Sequence, residues 1–203
     1  MEKFISNHDI QICICRAAVN WNEWQDCFEH PGDVTTLPVL SNDKRFSSFC
    51  NEYDLRWIGN DPQRKRFRKA ICKSKDFVDG INGKCAECLA KAMNIVRDSN
   101  RRRQMSAISK LAAFAAPDYY VAYDKYSRKG LALVANVSVT ALEFYPAYLE
   151  EVRNLLDGDL GSQLREQLAN HPSVPKAKFR GAFLLRVADC VLMTKGGRWS
   201  KQL

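Results

Sequence analysis

One segment restricts the fold more than any other. The run Leu111-Ala112-Ala113-Phe114-Ala115-Ala116 is apolar around most of a helical circumference, and Pro117 stops it. A helix without a wet face must be enclosed by other elements, so this stretch, with Met105 and Ile108 upstream, predicts a buried central helix. With 203 residues, 46% of them hydrophobic, the chain has enough material to enclose it.

Helical spacing supplies the enclosing elements. Phe46, Phe49, Cys50 and Tyr53 follow Asn42-Asp43. Ala86, Leu89, Ala90, Met93 and Val96 follow the Asn82-Gly83 turn and leave Glu87, Lys91 and Asn94 wet. After Pro146, Leu149, Val152, Leu155 and Leu156 run to a stop at Gly158; Phe179, Ala182, Phe183, Val187, Cys190 and Val191 end at Gly196-Gly197. Asn20, with Glu23 three residues on, reads as a capping box opening a helix that carries Trp21, Trp24 and Phe28. Leu131 to Leu142 suits strand or helix, and its helical neighbours favour helix. Only Ile10, Ile12 and Ile14 alternate as a strand does, too few for a sheet. The expected fold class is mainly α in a single domain over 1–203, with 97–104 the place where it would divide into two helical subdomains flanking an active site.

Charge narrows the partner. Thirty-one Lys and Arg against twenty-three Asp and Glu leave +8, which suits a polyanion such as nucleic acid. Between Pro62 and Lys75 stand Arg64, Lys65, Arg66, Arg68, Lys69, Lys73 and Lys75 with no acid, and a second cluster, Arg97, Arg101, Arg102 and Arg103, precedes the apolar helix. Either cluster alone is equally an ordinary solvated face; the two together favour phosphate contacts. No run approaches the ~20 apolar residues of a membrane span, and Met1 to Ile12 lacks the layout of a signal peptide. The expectation is a cytoplasmic protein with no membrane partner. Its eight cysteines, mostly within apolar runs, then read as buried reduced thiols.

Two residues carry candidate chemistry. Lys110, with Ser106, Ala107 and Phe114 on its helical face, is expected to hold its amine among apolar groups, where burial disfavours the charged form and leaves a usable nucleophile. The alternative is a lysine snorkelling at a helix edge. Fourteen residues on, after Pro117 and the loop of Tyr119, Tyr120 and Tyr123, a connection of this length can return Asp124 to that face. A lysine and an aspartate on one cavity can break a glycosidic bond: the amine or a water attacks while the carboxylate stabilises oxocarbenium-like charge. Asp124 equally fits a helix cap or an ion-pair partner for Lys125, Arg128 or Lys129.

The run Ile108-Ser109-Lys110-Leu111, Pro117-Asp118-Tyr119 and Tyr123-Asp124 resembles the catalytic segment of the 8-oxoguanine-type branch of the helix-hairpin-helix DNA glycosylases, particularly small bacterial members, over about residues 101–141. The resemblance implies a compact glycosylase-like fold, Lys110 as Schiff-base nucleophile, Asp124 as the activating carboxylate, and a base flipped from duplex DNA into a pocket. The glycines usual before that lysine are missing from Met105-Ser106-Ala107-Ile108-Ser109. Arg101 to Arg103 and the amides near Ser106 and Ser109 are then the expected substitutes for phosphate contact, joined by Arg64, Lys65, Arg66, Arg68, Lys69 and Arg128. Trp21, Asn22 and Trp24 or Tyr120 and Tyr123 would line the base pocket, although tryptophans at i, i+3 also suit a core.

No metal or organic cofactor is expected. The four-cysteine iron–sulfur spacing of some relatives is absent, and Cys85-x-x-Cys88 has no second pair and reads as helix packing. The expected function is excision of a damaged or modified base by a monomer, with abasic-site lyase activity if the Schiff base forms, in repair or in antiviral defence against modified phage DNA. The alternative is a non-catalytic helical DNA- or RNA-binding protein in which Lys110 and Asp124 form an ion pair.

Overall fold

The order of helices follows from where the chain can cap them. In the computed structural model, which describes residues 5–29, 34, 37–53, 55, 58–95 and 104–198, the Ser6 hydroxyl accepts the Asp9 amide and opens α1 (Asn7–Glu23). Asn42 opens α4 (Asp43–Glu52) by accepting from the Arg45 amide at 2.8 Å, and Asn60 with Gln63 forms a capping box on α5 (Asp61–Lys73). Short helices α2 (Gln25–Glu29) and α3 (Pro38–Ser41) fall between these, and α6 (Lys75–Asn82), α7 (Ala86–Ile95) and α8 (Met105–Ala115) follow. Then come α9 (Lys125–Ala135), α10 (Tyr145–Asp157), α11 (Asp159–Leu168) and α12 (Arg180–Lys195), with 3-10 turns at Thr140–Leu142 and Ala177–Phe179. No strand occurs among the described residues, and the class is mainly α.

Contacts along the backbone group the chain into two units, one of Met1–Gln25 with Pro117–Leu203 and one of Asp26–Ala116. Of the 97–104 segment expected to mark a division, residues 97–103 lie outside the described residues. That unit is built on phenylalanines. Phe114 of α8 stacks on Phe28 at 4.8 Å and meets Phe49 and Tyr53 edge-on, while Phe46 packs near Phe67 of α5. Nine successive residues of α8, Ala107 to Ala115, are buried, as its apolar circumference requires. Each buried Phe contributes ~1.5–3 kcal/mol of transfer free energy.

The first unit joins α1 to chain far away in sequence. Gln11 donates to Gln167 at 2.8 Å, Gln163 to Asn7 at 3.0 Å, and the Cys13 thiol sits 3.6 Å from the Thr194 hydroxyl. Helices α9 and α12 meet through glycine. A methyl group on Gly130 would lie 1.8 Å from the Leu192 carbonyl oxygen, and one on Gly196 would lie 2.0 Å from that of Tyr126. Nothing larger fits at either position.

Three expectations are corrected here. Ile10, Ile12 and Ile14 lie within α1, where Ile10 and Ile14 are an i, i+4 pair buried on one face. Asn20 opens no helix: it sits in the last turn of α1, and its carbonyl accepts the amide of Trp24. Leu131 to Leu142 is not one helix, because Asn136 takes a left-handed conformation (φ 55°) and ends α9 before the 3-10 turn. By contrast, Pro117 beyond α8, Gly158 after α10 and Gly196 after α12 stand at helix ends as read.

Candidate functional site

Lys110 owes its setting to the helix that carries it. On α8 it is only 4% exposed, and its Nζ lies 3.4 Å from the backbone carbonyl of Tyr53, just past the end of α4. Phe114, one turn on, meets the ring of the same Tyr53 at 5.3 Å. The lysine is therefore buried with its amine beside a backbone carbonyl, and the snorkelling alternative does not describe it. Ser109 is fully buried and donates to the Ser106 carbonyl, whereas the Ser106 hydroxyl is a buried atom without a hydrogen-bond partner. Gln104 precedes α8 without a side-chain cap on the helix.

Asp124 belongs to the other unit and is the N-cap of α9. Its Oδ1 accepts the amides of Tyr126 at 2.8 Å and Ser127 at 3.0 Å, and the Ser127 hydroxyl accepts the Asp124 amide in return. Its Oδ2 is 3.8 Å from the Arg198 guanidinium, with the carboxylate 10% exposed. The carboxylate is thus a cap and an ion-pair partner, although of Arg198 rather than of Lys125, Arg128 or Lys129. Sequence reasoning missed Ser127, whose Asp-x-x-Ser spacing is a cap signal, and Arg198, which no local pattern marks.

Tyrosines hold the loop before Asp124. Tyr145 donates to the Val121 carbonyl at 2.9 Å, Tyr148 to that of Ala122 at 3.0 Å, and Tyr123 to that of Glu143 at 2.7 Å. Burial pushes the Tyr145 and Tyr148 hydroxyls well above their ordinary range, so they remain donors. Arg128 lies over the Tyr123 ring at 5.1 Å and Arg153 over Tyr119 at 4.1 Å. Of the candidate stacking residues, Tyr120 and Tyr123 are 1% and 4% exposed. Trp21 packs on Phe179 and Phe183, Trp24 is also core, and Asn22 is exposed. All four rings already have neighbours on the protein, and a base stacking on any of them requires those neighbours to give way.

The basic segment divides in two along α5. Arg68 pairs with Asp43 and donates to the Leu40 carbonyl, Lys65 reaches Asp43 at 3.1 Å, and Arg64 is 3.8 Å from Asp61. The Lys65 ammonium, with Arg68 beside it, holds the Asp43 carboxyl below its usual range. Arg66, Lys69 and Lys73 are exposed. The second cluster, Arg97 with Arg101, Arg102 and Arg103, lies outside the described residues. Among the described residues no group of three His, Cys, Asp or Glu side chains is suited to a metal, and no helix is long and apolar enough to cross a membrane. Compared with protein-family profiles, curated proteins and solved structures, the chain matches none.

Proposed function

We propose that the protein is a DNA N-glycosylase that excises a damaged or modified base, with Lys110 as its amine. The observation that carries this reading is the burial of Lys110 on α8, with its Nζ beside a neutral carbonyl. Burial is the condition under which a protein can keep an amine unprotonated enough to attack carbon. In the reaction the Nζ lone pair attacks C1′ of the extruded nucleotide, the C1′–N bond breaks, and the base leaves with its bonding pair and takes a proton. Opening of the sugar gives a Schiff base, whose β-elimination cleaves the strand; if water attacks instead, the product is an abasic site. Arg66, Lys69 and Lys73 are assigned the phosphate contacts, with Arg101 to Arg103. The partner is duplex DNA, the protein acts as a monomer in the cytoplasm, and repair or antiviral defence is its setting.

The test is borohydride trapping on duplexes carrying modified bases, alongside mass spectrometry of bases released from genomic and phage DNAs. A covalent adduct that disappears in Lys110→Ala supports the reading; base release undiminished in Lys110→Ala overturns it. A second reading, a non-catalytic DNA- or RNA-binding protein, is favoured by the engagement of Asp124, whose two oxygens already face two amides and Arg198. It predicts salt-sensitive binding with neither adduct nor released base.

A further inference from the structure

Cys85 and Cys88 take no part in the reading above. Cys85 stands at the entry to α7 on a turn fixed by backbone: its amide donates to the Gly80 carbonyl at 2.9 Å, and Lys84 before it takes a left-handed φ of 48°. Behind the turn, Gly80 packs so closely on Leu89 that an added methyl would lie 3.1 Å from the Leu89 nitrogen. The Cys88 amide donates to the Cys85 sulfur at 3.2 Å, and the two Sγ atoms are 2.6 Å apart. Both residues are partly exposed, whereas Cys13, Cys27 and Cys50 are buried.

The two thiols are not equivalent. Its hydrogen bond with Cys85 pushes the Cys88 thiol up. A Cys85 thiolate receives the Cys88 amide and the positive end of the α7 dipole. Glu87, whose carboxylate is 3.8 Å from the Cys85 sulfur, opposes it, and Lys91 lies on the same helix.

We propose that Cys85 and Cys88 form a redox-active dithiol that exchanges with small-molecule disulfides. The Cys85 thiolate attacks one sulfur of the disulfide RSSR, the S–S bond breaks, and RS⁻ leaves to be protonated by water. Cys88 then gives its proton to solvent, attacks the Cys85 sulfur and expels the second RS⁻. The protein gains a Cys85–Cys88 disulfide, and RSSR is reduced by two electrons to two RSH. Cys85 is the attacking thiol and Cys88 the resolving one. The pair is independent of glycosylase activity.

The full chain is incubated with reduced and oxidised glutathione at stepped ratios, quenched with an alkylating agent and mapped by peptide mass. The Cys85–Cys88 disulfide is expected before any of the other six cysteines reacts. In Cys88→Ser a glutathione mixed disulfide accumulates on Cys85, and in Cys85→Ser modification of Cys88 slows by about tenfold or more. Preferential oxidation of Cys15 or Cys72, with Cys85 and Cys88 still open to alkylation, overturns the proposal. So does tight binding of zinc alone through both thiols of the reduced protein, since the pair would then be a metal holder. Both arms use the unmodified chain, so neither depends on the variants folding.

Discussion

Helices α8 and α9 are both eleven residues long, yet they are held in opposite ways. α8 starts without a side-chain cap and buries every residue from Ala107 to Ala115; its surroundings make it a helix. α9 buries only Ser127, Gly130, Leu131 and Ala132, and relies on the Asp124–Ser127 box at one end and left-handed Asn136 at the other. The two candidate chemical groups inherit this contrast. Lys110 sits where solvent is excluded, while Asp124 sits where backbone amides converge. A reactive amine is the more natural product of the first setting, and a structural carboxylate of the second.

The contrast can be broken at several points. Phe114→Ala empties the aromatic cluster around α8 and is expected to cost about 3–5 kcal/mol in urea denaturation. If α9 depends on its glycine contact, Gly130→Ala costs about 1–3 kcal/mol by the same measurement, because α12 backbone must retreat from the new methyl. Asp124→Ala removes the cap for about 1–2 kcal/mol, but Asp124→Asn keeps it within a few tenths. Base release unchanged in Asp124→Asn would therefore remove the carboxylate from the chemistry without disturbing the helix. Lys110→Met should shift stability by less than about 1 kcal/mol while abolishing the trapped adduct. A further effect is alkaline. Burial pushes the Cys27 and Cys50 thiols up to about 12 from 9.0, so the unfolded chain ionises first. Their contribution is complete below pH 9.0 and is lost as pH rises towards 12, which denaturation midpoints across that interval measure.

Much of the second unit is legible because its helices carry clean stripes and breakers. Asn42 before Phe46 and Phe49, and Pro117 after the alanine run, stand where the chain turns. α5 is harder to read, since its bases mask a buried pair, Phe67 and Ile71, one turn apart. Asn20 misleads because residues that cap helices also occur inside them, and the true cap, Ser6, precedes a weakly patterned segment. The burial of Lys110 follows from its helix alone. Its neighbour Tyr53 does not, because the carbonyl that meets the amine is brought there by tertiary packing across 57 positions of sequence.

The interrupted first unit has a consequence for synthesis. Its α1 finds Gln163, Gln167 and Thr194 more than 150 positions later, whereas residues 26–116 form their unit as one uninterrupted stretch. On the ribosome the second unit is complete while α1 still lacks every one of those partners. The inner unit can then mature first, and the long-range closure of α1 on α12 becomes the slow, late step of assembly.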